Sequence, residues 1–238
     1  MKQRIKRFFL VLGSLLLLLA FLVAASALYS AKTFTVTSYE LTAPVRERLR
    51  IVQLSDLHGR EYGKENWRLI EQIRELEPDL IFMTGDMINE DELDISRLLT
   101  LIEQLKAVAP IYFCYGNHET AWVSHFSADL HGSLEAAGAV ALDTEFVDVS
   151  LKGSELRIGG YANYYRQPHM LTKIKARIAA ERRFADEFED TDRYKILLCH
   201  IPTSWLDWDG KDRNNVDLVF CGHYHGGQIR FPWGGALY

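Results

Sequence analysis

Arg50-Ile-Val-Gln-Leu-Ser-Asp-Leu-His58 joins an apolar run to two side chains of the kind that bind metals. Residues 50–54 predict a buried strand, because aliphatic and β-branched side chains favour extended backbone. Side chains two residues apart on an extended segment point the same way, so Asp56 and His58 can reach one ion together. The stretch therefore predicts a strand whose carboxyl end carries part of a metal site.

Beyond this strand, helix and strand patterns alternate along the chain. Apolar side chains recur at helical spacing over 65–76 and 94–108, and short apolar runs typical of strands occupy 80–83 and 111–114. This alternation requires right-handed crossovers and predicts a layered α/β body. Further on, we expect a helix at 127–137, strands at 139–142, 146–151 and 156–161, a charged helix at 171–187, and strands at 195–199 and 217–221.

Side chains of metal-ligand type follow five of the apolar strands. They are Asp56 and His58; Asp86; Asn117, His118 and Glu119; His200; and His223 and His225. In open α/β sheets, ligands bind beyond the carboxyl ends of the strands, so the five segments are expected at one edge. A single Asp at such a place is often only a cap or a turn residue. Because five of the eight histidines cluster in these segments, the sequence predicts a metal centre.

The N-terminal segment has the composition of a membrane helix. No charged residue occurs in the 22 residues from Phe8 to Tyr29, and a helix needs roughly 20 apolar residues to cross a bilayer. Four basic residues lie in the seven residues before this segment: Lys2, Arg4, Lys6 and Arg7. The positive-inside rule then places residue 1 in the cytoplasm and the body on the extracytoplasmic side of the cell membrane.

Two other interpretations of this segment stay open. Ala25-Ser26-Ala27 resembles a signal-peptide cleavage site, although the apolar run exceeds the roughly 7–15 residues usual for such peptides. A buried core helix is the third interpretation, although soluble cores rarely accept a helix that is apolar on every face. We expect a basic tip and single-pass anchor at 1–29, a connector with an edge strand (33–39) at 30–49, and one catalytic domain at 50–238.

The charge of the body argues against nucleic-acid binding. The whole chain has a formal charge of −5, and without its four N-terminal basic residues 23 basic and 32 acidic side chains remain, a charge of −9. An acidic body repels the phosphate backbone instead of releasing its counterions. We therefore expect no nucleic-acid partner.

The strand-end segments resemble, in their order, the motifs of calcineurin-like metallophosphoesterases. The matching residues are Asp56-x-His58, Gly85-Asp86, Gly116-Asn117-His118-Glu119, His200 and Gly222-His223-x-His225. The stretch 222–232 is similar to a membrane-associated bacterial branch of that family, which also has an N-terminal apolar segment. The resemblance covers about residues 50–238, and it implies a layered β-sandwich with flanking helices, preceded here by a transmembrane helix.

The same resemblance implies a ligand set for two divalent metal ions. One ion takes Asp56, His58, Asp86 and His225, and the other takes Asp86, Asn117, His200 and His223. Asp86 then bridges the two ions. His118 matches a histidine that protonates the leaving group or stabilises the transition state.

A centre of this kind suits the hydrolysis of phosphate esters. Two cations about 3.5–4 Å apart neutralise phosphate charge, lower the pKa of a water and align it with the leaving oxygen. Mixed nitrogen and oxygen ligands favour Mn, Fe or Zn over Mg or Ca. Since anchoring raises the local concentration of membrane-borne substrates, we expect a mono- or diesterase acting on an envelope or phospholipid-like substrate. The alternative is an envelope protein that binds metal without turnover.

Two features depart from the family pattern. The further Asp that often follows Gly-Asp is replaced by Asn89, with Glu90 and Asp91 after it. We expect this change to alter the surroundings of the metals and not their ligands. The sequence also stops at Tyr238, where relatives usually continue, so we expect either a fragment or a missing last strand.

Overall fold

The strand that follows Arg50 opens a parallel sheet. The computed structural model describes residues 2–162, 171–206 and 215–225. Its elements in chain order are α1 (Lys2–Lys32), β1 (Ile51–Leu54), α2 (Trp67–Glu75), β2 (Leu80–Thr84), α3 (Ser96–Leu105), β3 (Ile111–Cys114), α4 (Asn117–Phe126), α5 (Leu130–Ala137), β4 (Ala139–Leu142), β5 (Glu145–Leu151), β6 (Ser154–Gly160), α6 (Leu171–Glu189), β7 (Tyr194–Leu198), α7 (Pro202–Leu206) and β8 (Leu218–Phe220). A short 3-10 turn, Lys64–Asn66, precedes α2.

The first sheet contains β1, β2, β3 and β4, side by side in sequence order and all parallel. Its register pairs Leu54 with Met83, Met83 with Phe113, and Phe113 with Ala141. The segments after β1, β2 and β3 therefore leave the sheet at the same edge.

Helices cover one face of this sheet. Alternate side chains of β2 and β3, among them Met83 and Phe113, are buried in one core with Ile73 of α2 and Ile102 of α3. Full burial of a side chain of this size contributes about 1.5–3 kcal/mol. This core fixes the strands, and so the edge from which the loops depart.

The second sheet contains β5, β6, β7 and β8 in that order. β5 and β6 form an antiparallel hairpin, while β6, β7 and β8 are parallel. The register pairs Leu198 with Phe220. The segments that begin at Cys199 and at Cys221 therefore also share one edge.

The two sheets pack face to face. The other face of the first sheet, including Phe82 and Tyr112, shares a core with Ile158 and Ile196 of the second sheet. On the outer face of the second sheet, Phe188 of α6 packs in a further core. The layer order is helices, sheet, sheet, helix, which confirms the predicted α/β sandwich.

Three elements differ from the prediction. Within the described residues, 33–39 forms no strand: β1 is the edge strand of its sheet, and this segment does not pair with its free side. Its alternating pattern instead places Phe34 against Tyr62. The prediction placed no helix at 117–126, where the structure forms α4. It began α5 near residue 127, whereas the helix begins at Leu130. The expected ending of the chain, 226–238, lies outside the described residues.

α1 is not part of any of the three cores described above. Its stretch Gln3–Ser30 is long and apolar enough to cross a membrane, and its side chains are exposed rather than buried against the body. A helix of that composition without protein cover needs an apolar solvent. The structure therefore favours a membrane segment over the buried core helix.

Candidate metal centre

The loops after β1 and β2 continue the pairing of their strands and so arrive together. The N–H of Asp56 donates to the carbonyl of Gly85 at 3.0 Å, and the N–H of His58 donates to the carbonyl of Asp86 at 2.9 Å. The reasoning from an extended segment was wrong, because Asp56 and His58 have φ values of 57° and 49°. These residues converge because their loop is curled and held to its neighbour, not because strand alternation aligns them.

The second sheet contributes through His200 and His223. His200 follows β7, and its Nδ1 lies 2.7 Å from the carbonyl oxygen of Thr84 at the end of β2. The N–H of His223, after β8, donates to both carboxylate oxygens of Asp56, at 3.0 and 3.2 Å. The site therefore lies where the carboxyl edges of the two sheets meet.

A glycine permits this close approach at two places. A Cβ at Gly116 would collide with the Asp86 carboxylate, and a Cβ at Gly222 would collide with the Ser55 hydroxyl. No other residue type lacks this atom. The glycines beside the chemical residues are therefore required by the packing of one loop on another.

Glu119 is a functional residue that the sequence prediction left without a role. Its side chain is fully buried and accepts four main-chain hydrogen bonds, from Asp86 at 2.7 Å, Met87 at 2.7 Å, Ile88 at 3.2 Å and Gly116 at 2.8 Å. Burial and the Asp86 carboxylate raise the pKa of Glu119, while the main-chain donors oppose that shift. Glu119 thus ties the loop after β2 to the start of α4.

Asp86 occupies the middle of the cluster. Its Oδ1 accepts the N–H of His118 at 2.9 Å. Its Oδ2 lies 3.0 Å from Nε2 of His200, 3.9 Å from Nε2 of His58 and 4.0 Å from Nε2 of His118. One carboxylate oxygen is thus held by the main chain, while the other faces imidazoles from three separate loops.

The side chains predicted to bind metal come together in small groups. Within each group the potential ligand atoms lie within 4.8 Å of one another; the groups are Asp56, His58 and His225; His58, Asp86 and His118; and Asp86, His200 and His223. Asn117, the first residue of α4, adjoins His118. All eight predicted site residues are therefore located at this edge.

Two polar atoms show that the cluster fits a cation. Because a carbonyl only accepts, Nδ1 of His200 must carry the hydrogen that bonds Thr84, and in the neutral ring Nε2 then holds a lone pair. That lone pair faces the Asp86 carboxylate at 3.0 Å, an arrangement that repels unless a proton or a metal lies there. Asn117 Oδ1 is buried without a hydrogen-bond donor among the described residues. A metal ion would satisfy both atoms.

The electrostatics reflect a compact set of opposite charges. Burial alone lowers the pKa of His200, but the Asp86 carboxylate outweighs it and the pKa is raised. Burial alone raises the pKa of Asp86, but His200 outweighs it and the pKa is lowered. Burial lowers the pKa of His58 and of His223, and neighbouring imidazoles add to the effect. These shifts favour the carboxylate form of Asp86 and the neutral imidazole forms of His58 and His223, which are the forms that bind metals.

His118 is set apart from the other histidines by its hydrogen bond. Its Nδ1 accepts the N–H of Glu90 at 3.2 Å, so in the neutral ring Nε2 carries the hydrogen. In this neutral ring the Nε2–H group can donate a hydrogen bond, and Nε2 has no lone pair with which to bind a metal. Asn89, at the position of the departure from the family pattern, donates to the carbonyl of His58 at 3.0 Å. The altered segment 89–90 therefore contacts the site through hydrogen bonds and leaves the candidate ligands unchanged.

Comparison with known proteins places this geometry in a family. The metallophosphoesterase Cj0846 of Campylobacter jejuni is 29% identical over 226 residues, covering 92% of this chain and 55% of that protein. YkoQ of Bacillus subtilis, also described as a metallophosphoesterase, is 27% identical over 231 residues, covering 92% of this chain and 79% of its own. LpxG of Chlamydia trachomatis, described as a UDP-2,3-diacylglucosamine pyrophosphatase, is 27% identical over 224 residues, covering 78% and 66%.

The chain thus spans little more than half the length of the Campylobacter relative. A family model described as calcineurin-like phosphoesterase matches residues 49–227, which include every candidate ligand and His118. The match takes in both sheets and the edge at which their loops meet. This chain therefore belongs to the calcineurin-like phosphoesterase family.

Proposed function

We propose that the chain hydrolyses a membrane-associated phosphate ester at a centre of two divalent ions. The observation that carries this proposal is the position of Asp86 Oδ2. It lies 3.9 Å from Nε2 of His58, in one group of potential ligands, and 3.0 Å from Nε2 of His200, in another group. The first ion would take Asp56, His58, Asp86 and His225, and the second would take Asp86, Asn117, His200 and His223. Since Oδ1 of Asp86 is engaged by the main chain, Oδ2 is the oxygen available to bridge.

When bound, such ions neutralise the charge of the phosphate and supply a water of lowered pKa as nucleophile. The mixed nitrogen and oxygen ligands suit Mn, Fe or Zn. The residues of the chain hold this arrangement in place. Glu119 orients the Asp86 loop through its main-chain hydrogen bonds, and the carbonyl of Thr84 fixes the ring of His200. Outer contacts of this kind set the direction and tautomer of a ligand.

His118 is the proposed proton donor. Its Nδ1 is engaged by the N–H of Glu90, which leaves Nε2–H to face the centre, 4.0 Å from Asp86 Oδ2. A positioned imidazole that protonates the leaving oxygen accelerates such reactions by about 10²–10⁴. The ring can also hydrogen-bond the charge that develops on the phosphate oxygens.

The membrane association of the substrate rests on α1 and on one relative. α1 can span a bilayer, and its four basic residues precede the apolar run, so we place residue 1 in the cytoplasm and the domain outside it. The Chlamydia relative is described as acting on a diacylated nucleotide sugar. A lipid-linked phosphate ester at the membrane surface is the substrate class that both features favour.

The test is hydrolysis by the full-length chain in nanodiscs. With Mn²⁺ present we expect turnover of a mono- or bis-aryl phosphate that ends on chelation, together with turnover of a lipid phosphate. His118→Ala should retain its metal and lose turnover by about 10²–10⁴. The control is His125→Ala, an exposed histidine on the same helix, which should change neither.

Two outcomes would contradict this assignment. Loss of metal from the His118 variant would make His118 a ligand. A wild-type chain that binds metal but hydrolyses none of these esters would instead be the metal-binding envelope protein.

A further inference from the structure

The end of the membrane helix contacts the body beside α2. Arg68 Nη1 lies 3.5 Å from the carbonyl oxygen of Lys32, the last residue of α1. Two residues further, the ring of Phe34 packs edge-to-face on Tyr62, with 5.0 Å between centroids. The segment 60–68 is therefore the part of the body joined to the end of α1.

The depth of this end follows from the length of α1. The uncharged stretch Phe8–Tyr29 has 22 residues, about 33 Å of helix at 1.5 Å per residue. A hydrocarbon core is about 30 Å thick, so the stretch just spans it and ends at the headgroup region. Lys32 is the first charged residue after it. Because Arg68 contacts Lys32, the segment 60–68 lies at the level of the lipid headgroups.

The composition of this segment suits that environment. Trp67, the first residue of α2, is 58% exposed although it is a large aromatic side chain. Arg60, Lys64 and Arg68 are exposed around it together with Glu61 and Glu65, so the segment has a net charge of +1. Trp and long basic side chains are the residues that proteins place at membrane interfaces, since each has an apolar part and a polar end. An isolated exposed Trp is unremarkable elsewhere, but here its position beside α1 gives it a partner.

The metal centre opens close to the same surface. Tyr62 is only four positions after His58, a span of at most about 15 Å. The neighbouring loop after β2 runs alongside, since Gly59 N–H donates to Met87 O at 2.8 Å, and it carries Leu93, which is 88% exposed. Leu93 is thus an exposed apolar side chain on a loop that also carries the candidate ligand Asp86.

We propose that the segment 60–68 is a membrane contact, in which Trp67 enters the headgroup region of the bilayer that α1 crosses. This contact holds the carboxyl edge of the sheets, and with it the metal centre, against the membrane surface. This proposal rests on the membrane placement of α1 given under the proposed function, and not on the identity of the ester. A phosphate in the headgroup layer then reaches the centre without leaving the bilayer.

Lipid cross-linking tests this contact in the full chain. A photoreactive amino acid replaces Trp67 in protein reconstituted into phosphatidylcholine–phosphatidylglycerol nanodiscs, and lipid adducts are measured by mass. The matched control is Glu75, an exposed residue eight positions on in the same helix, about 12 Å along its axis. Leu17, in the middle of α1, serves as the positive control.

We expect adducts at Leu17 and Trp67 and none at Glu75. Adducts at Leu17 with equally few at Trp67 and Glu75 would overturn the contact and leave the anchor intact. An absence of adducts at all three positions would overturn both the contact and the membrane placement of α1, whereas ester hydrolysis would stand.

A kinetic measurement separates orientation from damage to the fold. Trp67→Ser should lower kcat/KM for a lipid phosphate in the nanodisc by about three- to tenfold, the range of one or two interfacial contacts. It should leave hydrolysis of a soluble aryl phosphate unchanged, and Trp67→Phe should restore most of the lipid activity. An equal loss on both substrates would contradict the proposal.

Discussion

Most of the candidate ligands adopt backbone that L-residues avoid. Five of the seven have a positive φ: Asp56, His58, Asp86, His223 and His225. The left-handed region costs roughly 1–2 kcal/mol for a residue with a Cβ, so other contacts must hold these loops. The bonds from His58 N–H to Asp86 O and from His223 N–H to Asp56 Oδ1 do so. The loops are therefore shaped for the site, at some expense of stability.

Asp86 is the residue whose loss should affect the centre most. Asp86→Ala removes the oxygen that faces both groups of ligands, so metal content should fall by more than one ion per chain and activity should disappear. Elemental analysis of the purified variant measures the first effect. Asp91→Ala, an exposed carboxylate five residues on, is the control and should keep its metal. Unchanged stoichiometry in Asp86→Ala would refute the bridge.

At the scale of elements, Glu119 connects the end of β2 to the start of α4. Glu119→Gln keeps the size but leaves one acceptor oxygen where two receive four N–H groups. Buried donors left without an acceptor cost about 1–3 kcal/mol, so the midpoint of urea unfolding should fall. Because the Asp86 loop loosens, metal affinity should fall as well, while kcat at saturating metal largely recovers.

Glu103→Gln, on the exposed side of α3, is the control for that change and should move neither quantity. A Glu119 variant that is destabilised but binds metal with unaltered affinity would show that Glu119 supports the fold alone.

The sequence indicated the candidate ligands better than the elements that carry them. His and Asp are residue types that bind metals, so their clustering at strand ends was enough to predict which side chains the structure brings together. α4 was missed because Gly116 and Asn117 read as a loop, and because only Glu119 and Trp122 of its face are buried. The sequence could not show that Glu119 connects α4 to the loop after β2, because its partners in 86–88 are main-chain N–H groups, which every residue type except proline has.

A local pattern also misled the prediction at 33–39. Alternating apolar residues favour a strand, but a strand forms only where a neighbour offers hydrogen bonds. β1 has an unpaired side at the edge of its sheet, but within the described residues 33–39 does not pair with it. Whether a segment finds such a partner depends on the arrangement of the whole sheet.

The β5–β6 hairpin contains an ion pair whose contribution depends on pH. Asp148 and Arg157 are directly opposite in the register, and Arg157 Nε and Nη2 donate to the two carboxylate oxygens at 2.7 and 3.0 Å. The hydrogen bonds from Arg157 lower the pKa of Asp148. A lowered folded-state pKa gives stability above the unfolded pKa, near 3.9, which is lost as pH falls through the folded pKa.

Asp148→Asn should therefore destabilise the protein by about 0.5–1 kcal/mol at neutral pH, as expected for a partly exposed pair. The difference from wild type should vanish in strong acid. Urea unfolding at several pH values measures it; a constant difference down to strong acid would assign the loss to packing. Glu103→Gln, on the exposed side of α3 and away from the hairpin, should leave the acid limb unchanged.

At the scale of the whole molecule, the site belongs to neither sheet alone. The first sheet supplies Asp56, His58 and Asp86, and the second supplies His200 and His223. Contacts such as His200 Nδ1 to Thr84 O cross between the sheets. The centre therefore forms only when both sheets have packed, which explains why its ligands span residues 56 to 225.

The orientation of the chain in the membrane follows from charge and length together. Four basic residues precede the apolar run, so we expect residue 1 to stay inside and the body to be exported. Protease added to spheroplasts should digest the body and spare a tag at residue 1. Replacing the four basic residues with Ser should weaken this orientation, because it removes the charge bias.

Intact mass separates the two exported forms: a retained anchor keeps residues 1–29, whereas cleavage after Ala27 yields a chain that starts at Leu28. A body protected from external protease would reverse the assigned topology and place the metal centre on the cytoplasmic face.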